Sequence, residues 1–270
     1  MSGSTSAPAA RYVDHEVALL ARISGLSVPR VLPTLDGGAY TLLGDKPVLL
    51  FTALPGRSYP NDQLTPARLA SLGRAAAALH RADPAGLAPH RFHPRALFEE
   101  HYLPMRALVR AERPDAAAAL DAVFRDGWAP YELAGLPRAL VHADLFADNL
   151  HFDELDRCGV LDFEAAGEGP RLLDLAVAVH ALCFDAARGA HALPRVDALL
   201  GAYAAESPLT DAERDAWPAL LTFAAARFLF TRVRDFDLAP GAAAQHDRRD
   251  YREFLKALGA SRDLAARLPR

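Results

Sequence analysis

The stretch "LVHADLFADNLHFD", Leu140 to Asp153, sets His142, Asp144, Asp148, Asn149 and His151 among apolar positions, and Asp162 closes the next apolar run, "CGVLDFE". Carboxylates and a carboxamide are hard oxygen donors. Magnesium takes one or two carboxylates together with phosphate oxygens, so Asn149 with Asp162 is a suitable pair for it. Asp144 is then left over as a base. Phosphoryl transfer needs this division, because the protein mostly positions groups and stabilises charge while one carboxylate orients or deprotonates the attacking hydroxyl. Two other readings compete. Asp and Asn side chains close tight turns in most loops. Imidazole with carboxylate also suits zinc, manganese or iron, which would make His142, Asp144, Asp162 and His151 ligands of a hydrolytic metal and leave Asn149 without a role.

The segments around these residues, "RALVHAD", "NLHFD" and "CGVLDFE", are β-branched or aromatic runs bounded by polar turns, the pattern of short strands carrying a loop. Ahead of them, Val13, Val17 and Leu20 recur at helical spacing, with Gly25 as a C′ residue, behind a small polar tail "MSGSTSAPAA". "VPRVLPTL", "AYTLL" and "PVLLFTAL" predict a small antiparallel sheet, and "LPGRSYPN" a linker. Then "LTPARLASLGRAAAALHRAD" predicts a helix with Thr65 as N-cap and Pro66 at N1. Further helices are expected over 95–112 and 114–126, and everything after Pro170 is expected to be helical, over 171–185, 194–205, 211–234 and 248–267. The fold class is α+β: a small front piece over 1–54 and a mostly helical body over 55–270, with the ligand expected in the cleft between them.

Composition bounds the partners. The chain has 270 residues, 51% hydrophobic and 24% charged, with a net charge of −4, so a folded core is expected and nucleic acid is not. Leu172 to Phe184 and Trp217 to Val233 are apolar but carry ionisable residues, and both read as core helices rather than membrane spans. Cys158 and Cys183 have no CxxC spacing and no secretory leader precedes them, which reads as buried thiols in a cytoplasmic protein. Nothing in the pattern specifies an oligomeric state.

"VHADLFADNLHFD" followed by "GVLDFEAAGEGPRLLDLAVAV" resembles the core of the aminoglycoside-phosphotransferase and choline-kinase group, and within it the homoserine kinases of the protein-kinase-like fold. "LLGAYAAESPLTDAERDAWPALLTFAAARFLFTR" and "HDRRDYREFLKAL" extend the resemblance over most of residues 16 to 265. The resemblance implies ATP and Mg2+ as cofactors and a small amino-containing alcohol, L-homoserine before an aminoglycoside or choline, as the substrate. It makes Asp144 the catalytic base, His142 a brace of its loop, and Asn149 and Asp162 the magnesium ligands. Asp174 in "LLDLA" would hold the loop backbone, and Asp148 would meet the substrate's amino group. Arg227 and Arg232 would bind its carboxylate, a task that suits planar guanidinium groups, unless they form ion pairs on a helix surface. Ala143 stands where the family usually has glycine, a departure expected to be tolerated if φ there is negative.

In such kinases strands carrying a phosphate-covering loop and a lysine precede an acidic residue of the first helix, here Glu16. Of 30 basic residues only Lys46 and Lys256 are lysines, and neither precedes Glu16. The small lobe therefore reads as truncated. "GGAYTLLGDK" is a hairpin rather than a replacement phosphate loop, because its spacing is wrong and Asp45 interrupts the Gly-Lys pair. Three expectations follow: a start codon lying upstream; weak ATP binding through the hinge residues Phe51, Thr52 and Leu54 with slow turnover; or a non-catalytic binding protein. Loss of such a clamp is expected to slow transfer by ~100-fold or more.

Overall fold

The computed structural model describes residues 7–44, 46–131, 133, 135–239, 250–264 and 267–269. Its front piece comprises α1 (Ala7–Leu20), β1 (Val31–Leu32), β2 (Thr41–Leu43), β3 (Lys46–Val48) and β4 (Leu50–Phe51). β1 pairs antiparallel with β4, Val31 opposite Phe51, and β2 with β3, Thr41 opposite Val48. The expected single sheet is thus two separate two-stranded ladders. Asp45, expected in the β2–β3 turn, lies outside the described residues.

α1 begins at Ala7, inside the stretch expected to be a tail, in keeping with the helix propensity of its alanines. Residues 1–6 of that tail lie outside the described residues. The helix ends at Leu20 rather than at Gly25, which sits at φ +71° in the turn beyond. Leu19, Leu20 and Ile23 are buried in the core, whereas Leu42, Leu43 and Leu50 are 51%, 76% and 68% exposed. The front piece is therefore anchored by its helix and not by its strands.

The body holds a second pair of ladders. β5 (Arg138–Val141) pairs with β8 (Gly167–Pro170), and β6 (Leu150–Phe152) with β7 (Cys158–Val160), both antiparallel. The sequence pattern did not call for β8, since "GEGP" has little strand propensity. It forms because glycine lets the chain lie against Ala88 and His90: a Cβ on Gly167 would fall 2.6 Å from the His90 nitrogen. The front piece is stitched to the β6–β7 hairpin through backbone bonds. Val160 N–H donates to Ser27 O at 3.0 Å, and Arg57 and Phe152 exchange bonds of 3.1 and 2.9 Å. Gly56, at φ +91°, permits that approach, because any Cβ there would meet the Phe152 carbonyl.

Helices make up the rest: α2 (Pro66–Leu79), α3 (Leu103–Glu112), α4 (Pro114–Val123), α5 (Leu172–Cys183), α6 (Leu193–Glu206), α7 (Asp211–Arg232) and α8 (Tyr251–Ala260). Thr65 caps α2 as expected, accepting from Arg68 N–H at 3.3 Å. π-helical turns over Ala96–Tyr102 lead into α3. α7 opens with a capping box between Thr210 and Glu213, and Glu213 also receives the Arg171 guanidinium at 2.7 and 2.8 Å. α5 is buried along its whole length, which explains its nearly unbroken apolar sequence. Between α5 and α6, β9 (Phe184–Asp185) and β10 (Ala190–His191) form a hairpin where only helices were expected. The helix expected over 248–267 is described as α8 followed by a 3-10 turn over Ser261–Leu264; residues 240–249, with the start of "HDRRDYREFLKAL", and 265–266 lie outside the described residues. Both cysteines are buried, as expected, and burial pushes their thiols up. Among the described residues no helix is long and apolar enough to cross a membrane.

α2 and α6 are in close contact at Gly73, where a Cβ would fall 2.3 Å from the Leu199 carbonyl oxygen. Gly73→Ala is expected to lower stability by about 1–3 kcal/mol despite alanine's better helix propensity, because the methyl must push two packed helices apart. An unchanged urea midpoint would contradict this.

Candidate active site

β5 ends at Val141, and the loop that follows is held from below by a carboxylate. Asp174, in the first turn of α5 and fully buried, accepts from His142 N–H at 2.7 Å and from Ala143 N–H at 2.6 Å. His80 of α2 donates its Nε2–H to the same carboxylate at 3.1 Å, and its Nδ1 accepts from the Tyr203 hydroxyl of α6 at 2.8 Å. Burial alone would raise the Asp174 pKa, but the hydrogen bonds from the His80 side chain and the His142 backbone hold it below the ordinary carboxylate value. Asp174 is therefore an anion whose partners are all donors.

His142 is also buried, and its two nitrogens have defined roles. Nε2 must donate to the Leu161 carbonyl at 2.8 Å, which leaves Nδ1 to accept from Asp144 N–H at 3.2 Å. It thus ties the loop to the strand end that precedes Asp162, and neither nitrogen is left for a metal. The hydrolytic-metal reading loses a ligand, and among the described residues no group of three or more His, Cys, Asp or Glu side chains is arranged to hold a metal.

The condition for easy tolerance of alanine at 143 is not met. Its φ is +63°, in the left-handed region. That conformation is disfavoured for a residue with a Cβ, and here it is imposed from both sides: Asp174 holds the Ala143 N–H, and Arg227 donates to the Ala143 carbonyl.

Asp144 is half-buried and lines a cavity of about 820 Å³. Asn149 follows from a single 3-10 turn and donates Nδ2–H to the Asp144 carbonyl at 2.9 Å and to its carboxylate at 3.3 Å, so the amide oxygen is the atom it could offer a cation. The β6–β7 register places Leu161 beside Asn149, with Leu161 N–H donating to the Asn149 carbonyl at 2.9 Å. Asp162 comes next, at φ +58°, and its exposed carboxylate lines the same cavity. Asp148, also exposed, lines it from the other end of the turn. His151, a candidate ligand in the hydrolytic-metal reading, is half-buried in β6 opposite Gly159.

The two arginines are not on a helix surface: Arg227 is 1% and Arg232 9% exposed, and both line the cavity. Arg227 stacks on Phe92 and Phe228, at 4.1 and 4.4 Å from the ring centres, and one nitrogen reaches Asp144 at 3.5 Å. Burial lowers its pKa to about 10, against the opposing pull of Asp144 and Asp174, and it stays cationic at neutral pH. Arg232 lies 4.5 Å over the Phe254 ring, with Glu253 3.7 Å away.

Glu16 reaches the far side of the site. Burial raises its pKa, with Asp162 and Glu164 adding to the rise, while a hydrogen bond from the Phe163 backbone opposes it. No arginine or lysine forms an ion pair with it among the described residues. Phe51, Thr52 and Leu54 do not line the cavity. Thr52 is engaged with Arg30, accepting from its N–H at 2.9 Å, and Leu54 lies over Gly159 of β7. Sequence reasoning passed over His80, although its motif was in view, because the link to Asp174 spans two distant helices. It also passed over the aromatic wall of Phe92, Phe146, Phe228 and Phe254, because phenylalanines at helical spacing read as ordinary core.

The model of the phosphotransferase enzyme family matches residues 4–214. The chain belongs to that family. Relatives of this phosphotransferase include the homoserine kinase of Gluconacetobacter diazotrophicus, 37% identical over 252 residues, covering 90% of this chain and 76% of that one. The homoserine kinase of Pseudomonas aeruginosa is 35% identical over 257 residues, covering 91% and 76%. Among solved structures, an amicoumacin kinase in complex with AMP-PNP and Ca2+ superimposes with a TM-score of 0.66 at 17% identity, covering 96% of this chain and 79% of that one. A microcompartment-associated aminopropanol kinase gives 0.61 at 21% identity, covering 98% and 82%. The phosphotransferase thus has the α+β protein-kinase-like fold that its motifs imply.

Two outcomes follow. Because its folded pKa is depressed, Asp174 contributes stability that is present above the unfolded carboxylate pKa and lost as pH falls through the lower, folded value. Asp174→Asn is expected to cost about 3 kcal/mol at pH 7, from charge-assisted bonds lost and a donor turned against a donor. Its denaturation midpoint should fall less steeply than the parent's on acidification; parallel acid limbs would contradict this. Ala143→Gly should change stability by less than about 1 kcal/mol, strain relief offsetting the glycine's entropy, whereas Ala143→Val should cost more than about 2 kcal/mol. Urea melts of the three proteins check the order.

Proposed function

We propose that this phosphotransferase is a homoserine kinase, transferring the γ-phosphoryl group of ATP, with Mg2+, to the hydroxyl of L-homoserine to give O-phospho-L-homoserine on the route to threonine. Relatives named homoserine kinase at 33–37% identity support the acceptor. The observation that carries the chemistry is that one cavity holds a half-buried Asp144, the oxygen donors Asn149 and Asp162, and two buried arginines.

The donor set fits magnesium, being all hard oxygen and without free imidazole or thiolate. When bound, the ion supplies charge neutralisation for the nucleotide phosphates. The remaining work falls to the chain. Asp144 accepts the hydrogen bond of the substrate hydroxyl and takes its proton as the new O–P bond forms and the bond to ADP breaks. Arg227, 3.5 Å away, fixes its orientation through Ala143. Arg232 is proposed to receive the substrate carboxylate, with Arg227 contributing whatever hydrogen-bonding capacity the loop leaves it. Asp148 is proposed to meet the ammonium group, and the 51–54 segment to border the adenine.

A second reading rests on Glu16. No arginine or lysine is paired to it among the described residues, which favours slow turnover or a binding protein that keeps the pocket. Another amino alcohol, such as choline or an aminoglycoside, is the alternative acceptor within the same chemistry.

Coupled ADP release with homoserine, choline and kanamycin is expected to favour homoserine. Asp144→Asn should reduce it by ~100-fold or more; an unaffected mutant would remove Asp144 from the mechanism. Calorimetry of Mg-ATP is expected to show binding that weakens in Asp162→Asn, and no binding at millimolar nucleotide would favour the non-catalytic reading.

A further inference from the structure

Arg91, Arg227 and Arg232 all line the Asp144 cavity, and they differ in freedom. Arg227 and Arg232 are buried, and Arg227 is already committed to the Ala143 carbonyl. The Arg91 side chain is 49% exposed, and it donates to Glu164, itself 64% exposed. An ion pair so open to water holds its members weakly, so the guanidinium can exchange one carboxylate for a more highly charged ligand at little cost. The base of the side chain is, by contrast, fixed. His90 N–H donates to the Glu168 carbonyl and Arg91 N–H to the Ala165 carbonyl, both at 3.1 Å, and Glu168 N–H donates back to the Ala88 carbonyl at 2.8 Å. A long cationic arm on a rigid mount therefore borders the cavity.

Its neighbours set the arm between the two ends of the reaction. The chain that carries Asp162 runs on through Glu164, which receives the Arg91 guanidinium, to Ala165, which receives its backbone N–H. On the other side Phe92, the residue after Arg91, supports the Arg227 guanidinium 4.1 Å from its ring centre, and Arg227 lies 3.5 Å from the Asp144 carboxylate. The two guanidinium groups are close enough that the charge of Arg91 helps to lower the Arg227 pKa, behind the larger effect of burial. Arg91 is thus flanked by the segment bearing the cation-ligand candidate Asp162 and by the groups around Asp144. A phosphoryl group handed from the first to the second passes beside it.

We propose that Arg91 is a catalytic residue of the phosphoryl transfer: its guanidinium turns from Glu164 to the γ-phosphoryl oxygens of the nucleotide and stabilises their charge as the group moves to the hydroxyl held by Asp144. The proposal rests on the kinase reading of this site. The bond from phosphorus to the oxygen bridging the β- and γ-phosphates breaks, and its electron pair leaves with ADP. The substrate oxygen bonds to phosphorus, and its proton passes to Asp144. Arg91 neither gives nor takes a proton, and its planar fork can meet two phosphoryl oxygens at once.

The test compares Mg-AMP-PNP with Mg-ADP by calorimetry on the full chain, since only the first carries a γ-phosphoryl group. Arg91→Gln is expected to weaken Mg-AMP-PNP by roughly tenfold and Mg-ADP by less than about twofold, with Arg91→Lys losing less than Arg91→Gln. With the acceptor that the parent phosphorylates, Arg91→Gln should lower kcat by roughly 100-fold and leave the acceptor KM within about twofold, because the contact is to the transferring group. The melting transition, which an exposed ion pair hardly affects, shows that the variants fold. Arg95→Gln, at an exposed arginine that does not line the cavity, should match the parent with both nucleotides. An equal loss in Arg95→Gln would reduce the effect to bulk charge and overturn the proposal. So would an Arg91→Gln protein that binds both nucleotides as the parent does, or loses both equally; either result strikes Arg91 alone. A parent that binds no nucleotide overturns the kinase reading and the role of Arg91 with it.

Discussion

The carboxylate of Asp174 accepts hydrogen bonds from His142 N–H, Ala143 N–H and His80, and is fully buried. A charge in that position costs several kcal/mol unless every lone pair direction is met, and here donors from the loop and α2 meet it. The arrangement joins four elements: the strand that delivers the loop, α5 that delivers the carboxylate, α2 through His80, and α6 through Tyr203. The geometry of Asp144 follows from it. Its backbone position is dictated by the two residues before it, one of them in a conformation that alanine would not choose by itself.

A second constraint is imposed from the opposite side. Arg227 is sandwiched between two phenylalanine rings and donates to the carbonyl whose own N–H Asp174 already holds. An anion on one side and a cation on the other therefore clamp the two peptides that flank Ala143, so the loop is pre-organised rather than shaped by a ligand. The same guanidinium borders the cavity, and its charge serves the loop first and any bound molecule second. The front piece contrasts with this rigidity. Its strands expose leucines and lend little to the core, so the far wall of the site depends on α1 and on a few backbone bonds to the β6–β7 hairpin.

Much of the site was legible in the sequence because its residues are close in the chain. Asp144, Asn149 and Asp162 fall within one strand-loop-hairpin unit, whose short alternating strands force them to one end. The role of Asp174 as a holder of the loop was legible through its motif, and the geometry agrees with it. The helices were legible from apolar spacing and from caps such as Thr65. What was not legible had a tertiary cause. β8 exists only because two glycines let a poor strand sequence lie against another segment. The β9–β10 hairpin interrupts a helical pattern with two-residue strands too short to leave a period. Ala143 adopts a positive φ that its side chain disfavours, since neighbours distant in sequence impose it.

The sequence by itself determined the phosphotransferase family, the α+β class and the short-range grouping of the three oxygen-bearing residues of the loop and hairpin. These are properties of residue type and of short-range spacing. The tertiary structure alone decided which groups face one another. It turned two arginines from candidate surface pairs into buried cations, joined His80 to Asp174 across two helices, and left Phe51, Thr52 and Leu54 off the cavity wall. Such relations depend on packing between segments far apart in the chain, and no local pattern encodes a contact whose partner lies a hundred residues away.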